Sequence, residues 1–120
     1  MQKLEKSVDI QLKADAEGQV FLSTQIGNGH LGGGNIKFEA TQLKIAKGML
    51  NNFPLHNFGP LRGKTLIVTT TGVDQNPSSN VIPIVHVFTG EGLSKNELFD
   101  FNEDADDNSV IVFVIRYTFK

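Results

Sequence analysis

Asp100, Asn102, Asp104 and Asp106 stand at alternate positions, the spacing at which oxygen ligands occupy the first half of a calcium loop. The match then fails. Ala105 stands where the sharp turn needs glycine, and Ile111 where a bidentate glutamate should close the site. An EF-hand is therefore not expected. A looser calcium-assisted site for a carbohydrate or lipid, helped by Asp74 or Asn76, is the binding chemistry these residues allow. Their setting is unusual: Glu97 to Asp107 carry six carboxylates and no base. The other seven acids face eleven bases, so this stretch alone turns a mildly basic body into a chain of net charge −2. The plainer reading is a solvated acidic loop that keeps the apolar strand after it soluble.

Nucleophilic or general-base catalysis needs a reactive group held by an orienting partner. His30, His56 and His86 are dispersed, and Ser23, Ser78 and Ser79 have no elbow-like setting. Gly27-Asn28-Gly29-His30-Leu31-Gly32 fits G-x-G-x-x-G, but the segment after it reads as strand and positions 49–60 hold no acid for a ribose. Gly59 to Thr65 has three residues between its glycines where a phosphate loop needs four, and leads into a strand. A small enzyme built on His30 and the glycine loop is the remaining catalytic alternative; the expectation is no enzyme.

Composition narrows the rest. At 120 residues with 39% apolar content the chain supports one β-sandwich domain over 1–120. The lack of cysteine removes zinc–thiolate sites, thiol nucleophiles and disulfides. Eleven scattered basic residues, densest at Lys37, Lys44 and Lys47, with one Tyr and no Trp, argue against nucleic acid. No apolar run resembles a signal peptide or a membrane span, so the chain is expected to stay in the cytoplasm as synthesised unless a dedicated machine exports it.

The elements that must carry these residues alternate with period two. Val8, Ile10 and Leu12 oppose Asp9, Gln11 and Lys13, and with a returning strand at 19–26 they read as a hairpin over 7–26. A glycine-rich loop spans 27–34. Residues 36–50 read as two short strands around a kink near Thr41-Gln42, and 51–64 as a long connection. Strands follow at Thr65–Thr71, Val81–Phe88 and Val110–Phe119; Pro83 should put the second of these at an edge or bulge. The expected fold is an all-β antiparallel sandwich of seven or eight strands, Greek-key, C2-like, Ig-like or jelly-roll-like, with room for one short helix in 40–52 or 93–100. Phe21, Phe38, Phe88 and Phe113 are the expected inward rings.

Two of those strands do not alternate. Val110 to Ile115 is six apolar residues in a row, and Val81–Val85 shows the same habit. Apolar side chains on both faces need cover, from the chain's own connections or from another subunit. The leading expectation is thus a non-enzymatic structural protein that works by protein–protein contact as a homo-oligomer or part of an assembly. Val81, Ile82, Ile84, Val110, Val112 and Val114 are its candidate interface.

Overall fold

The computed structural model describes residues 2–14, 18–27, 31–73, 81–104 and 110–120. Period-two alternation becomes nine strands among them: β1 Gln2–Ile10, β2 Phe21–Ile26, β3 Leu31–Phe38, β4 Lys44–Lys47, β5 Phe53–Pro54, β6 Thr65–Val73, β7 Val81–Thr89, β8 Glu97–Asp104 and β9 Val110–Phe119. Sheet 1 has the order β1-β9-β6-β3-β4 and sheet 2 the order β5-β2-β7-β8. The all-β sandwich is therefore as expected, with more strands. The helical element is a single 3-10 turn, Leu55–Phe58, outside both segments considered for a helix. No helix among the described residues is long and apolar enough to cross a membrane.

The inner faces make one core. Ile111, Phe113, Ile115, Tyr117 and Phe119 of β9 meet Ile82, Ile84 and Phe88 of β7, with Leu22, Ile36, Leu66 and Val68 beside them. Phe38, Phe88 and Phe113 are buried as expected, while Phe21 stays half-exposed and Phe119 takes an inner place. Residues 36–50 form two strands joined through a turn in which Gln42 has φ 60°, at the expected kink.

Several local expectations give way to long-range pairing. Residues 7–26 are no hairpin: β1 pairs in parallel with β9, while β2 crosses to sheet 2 and pairs with β7 and β5. Residues 11–14 and 18–20 instead pack against residues 90–94, where Lys13 N–H donates to the Gly92 carbonyl and Gly92 N–H to that of Gln19. Gly32, Gly33 and Gly34 lie in β3, paired with β6. The acidic stretch is largely strand, since β8 completes sheet 2 against β7.

Pro83 lies on a central strand, and the register explains how. Its carbonyl accepts from Gly27 N–H, so its nitrogen also points toward β2. The β2 ladder ends at Ile26–Ile84, one residue short of Pro83. The missing donor leaves the Gly27–Pro83 pair with one of its two bonds, and the ladder stops there.

Candidate functional site

Among the described residues the most chemically distinctive set lies inside the sandwich. His86 on β7 faces sheet 1 and is completely buried. Its Nδ1 is 2.7 Å from the Tyr117 hydroxyl of β9, and its Nε2 is 3.1 Å from Thr70 Oγ1 of β6. A neutral imidazole has one N–H and one lone pair. The phenol is the more acidic hydroxyl and makes the shorter contact, which assigns Tyr117 O–H as donor to Nδ1 and Nε2–H as donor to Thr70. Burial pulls the His86 pKa from 6.5 down to about 4 and pushes that of Tyr117 above its ordinary value. His86 is therefore neutral near pH 7, and edge-to-face contacts with Phe101 (5.7 Å) and Tyr117 (5.8 Å) complete its cage. Solvent reaches none of the three residues, so a substrate has no route to them. They join the sheets. Alternation places His86 inside, but no spacing links it to Thr70 and Tyr117; only sheet packing does.

His56 does not assemble with it. His56 Nδ1 accepts from Val20 N–H at 3.2 Å, and its ring stacks edge-on against Phe21. His30 lies outside the described residues, as do Asp74, Asn76 and Asp106. No group of three or more His, Cys, Asp or Glu gathers among the described residues.

Asp100, Asn102 and Asp104 lie in a row on the outer face of β8, at alternate positions with Leu98. Alternate residues of a strand repeat at about 6.8 Å, so Asp100 and Asp104 stand about 13 Å apart along it, too far for both to reach one ion with ligands at about 2.3–2.6 Å. Asn102 Nδ2 donates to Asp100 Oδ1 at 3.4 Å. The row suits an edge strand that repels strand addition. β1, at the edge of the other sheet, uses a related device. Lys6 pairs with Ile115 and so falls on the core side between Leu4 and Val8, yet it is exposed.

The six interface candidates separate by parity. Ile82 and Ile84 are fully buried in the chain's own core and offer nothing to a partner as folded. Val81 lies on the other face of β7, 36% exposed. Val110, Val112 and Val114 point outward from sheet 1 and remain half-exposed, so no connecting segment roofs them completely. Val73 pairs with Val110, Thr71 with Val112, Thr69 with Val114, and Ile67 with Arg116. This continues the apolar and β-branched surface across β6. Lys3 and Glu5 flank the stripe on one side, and Asn35 and Lys37 on the other.

No protein-family model, curated protein or solved structure matches this chain, so its own residues carry the functional argument.

Proposed function

We propose that this chain is a non-enzymatic β-sandwich that works by protein–protein contact, self-associating through the outer face of sheet 1. The observation that supports this reading is the half-exposed stripe Val110, Val112 and Val114 on β9, a strand flanked on both sides by its own sheet. Full burial of one such side chain is worth about 1.5–3 kcal/mol, and covering the part of each valine still exposed supplies a minor share of that; Lys3, Glu5, Asn35 and Lys37 provide the polar rim that interfaces carry. The edge strands argue for the same face. Lys6 on β1 and the carboxylates of β8 discourage edge-to-edge pairing at two of the four sheet edges, which favours contact between flat faces. A single self-complementary patch closes as a two-fold dimer.

Light scattering after size exclusion, across a hundredfold range of concentration, tests the reading. The wild type is expected to approach twice its chain mass, and Val112→Asp to remain at one chain mass with an unchanged circular dichroism spectrum. A wild type that stays monomeric over the whole range overturns it.

A further inference from the structure

At the end of sheet 1 where β3 finishes and β6 begins, the chain leaves a cleft of about 590 Å³. Phe38, Leu43, Ile45 and Phe58 form its apolar walls, with Lys64 and Thr65 opposite the 39–43 turn. This volume falls within the range of small-molecule sites. Two wall residues are large hydrophobics left in solvent: Leu43 is 69% exposed and Phe58 40%.

The exposure of Leu43 is held in place by its turn. Gln42 adopts φ 60°, a conformation rare for residues other than glycine. Three hydrogen bonds keep it there: Gln42 N–H to the Phe38 carbonyl at 3.0 Å, Gln42 Nε2 to the Glu39 carbonyl at 2.7 Å, and Lys37 Nζ to Gln42 Oε1 at 2.9 Å. On the far wall, Phe58 stacks on Phe53 at 5.8 Å and tilts against Phe38 at 6.4 Å. Both walls are thus tied to the sandwich.

The charge in the cleft is one-sided. Glu39, the one acid in its lining, is bound to Arg116 Nη1 at 2.9 Å. Lys64 has no ion-pair partner among the described residues. Its ammonium lies 5.4 Å from the centre of the Phe38 ring and donates one hydrogen bond, to the Phe58 carbonyl at 3.3 Å. An ammonium has three N–H donors, so two remain to meet an acceptor at the cleft.

From this combination we infer that the cleft binds a small amphiphilic anion, an aliphatic chain ending in a carboxylate, with the chain between Leu43 and Phe58 and the carboxylate on Lys64. The cleft does not include the valine stripe of β9, so its occupancy and self-association are separable.

Decanoate and decanol serve as probes, since they share a ten-carbon chain and differ in charge. Titrating the full chain with each, followed by amide chemical shifts, should give saturable changes centred on Phe38, Leu43, Ile45, Phe58 and Lys64. Decanoate is expected to bind about fivefold more tightly, the worth of one partly exposed ion pair of about 1 kcal/mol. Lys64→Met should bring the two affinities together, and Leu43→Asp, at a site too exposed to threaten folding, should weaken both. Absence of saturable shifts with decanoate, equal affinity for the two probes in the wild type, or an unchanged ratio in Lys64→Met would each overturn the inference.

Discussion

Acid should loosen this sandwich well before its carboxylates titrate, because His86 is held neutral between the sheets. Its pKa is about 4 when folded against 6.5 as the unperturbed value. Between these values the unfolded chain takes a proton that the folded chain refuses. Stability is therefore full above pH 6.5, falls as pH drops, and stops falling from this source near pH 4. Integrating over that window gives a loss of about 2 kcal/mol by pH 5 and about 3 kcal/mol by pH 4. Such a change is a large part of the total stability of a small domain. The physical origin is specific. The imidazolium would need two acceptors: Thr70 already accepts from Nε2–H, but Tyr117 can accept from Nδ1 only by turning its hydroxyl away in a site closed to solvent. Urea denaturation at pH 7.5, 6 and 5 measures the loss. The variant His86→Gln keeps polar atoms at the site but does not titrate, and is expected to flatten the pH dependence even if it lowers stability at pH 7.5. A wild type that loses less than about 0.5 kcal/mol between pH 7.5 and 5, or a His86→Gln variant that loses as much as the wild type, would refute the reasoning.

Two further substitutions probe how the fold is protected. Gly90 has φ 130°, and a Cβ there would run into the Gln19 carbonyl oxygen, so Gly90→Ala should cost more than about 2 kcal/mol in chemical denaturation. Wild-type stability in that variant would mean that the close approach of 90–92 to 18–20 is not needed. Replacing Lys6 by Val completes an apolar inner row on edge strand β1. It should yield species larger than a dimer in light scattering, and Val112→Asp in the same chain should not suppress them, because that contact is made by the β1 edge and not by the outer face of sheet 1.

Much of the architecture was legible in the sequence because the signals involved are local. Runs of β-branched and apolar residues bounded by turn signals marked β6, β7 and β9 to within about two residues, as element boundaries usually allow. The Thr41-Gln42 kink also followed from residues that are neighbours in the chain. Where the reading departed from the structure, a partner distant in sequence decided. β1 resembles half of a hairpin until β9, more than a hundred positions away, supplies a parallel neighbour. The acidic stretch looks like a loop by charge, yet β7 needs a partner on its open side and takes Glu97–Asp104. Lone apolar runs on β7 and β9 suggested two greasy faces. Packing resolved each into a buried row and a half-exposed row, which left Ile82 and Ile84 inside and the β9 valines outside.

Residue types alone decided that this chain folds through strands, without thiol chemistry, and carries its surplus of negative charge in one place. Those properties depend on composition and on neighbours a few positions apart. Which side chains meet is another matter. The pairing of His86 with Thr70 and Tyr117, the spread of Asp100, Asn102 and Asp104 along one edge, and the Lys64 ammonium over Phe38 all depend on contacts between separate strands and loops. Such contacts form only when the sheets stack, so no local pattern announces them.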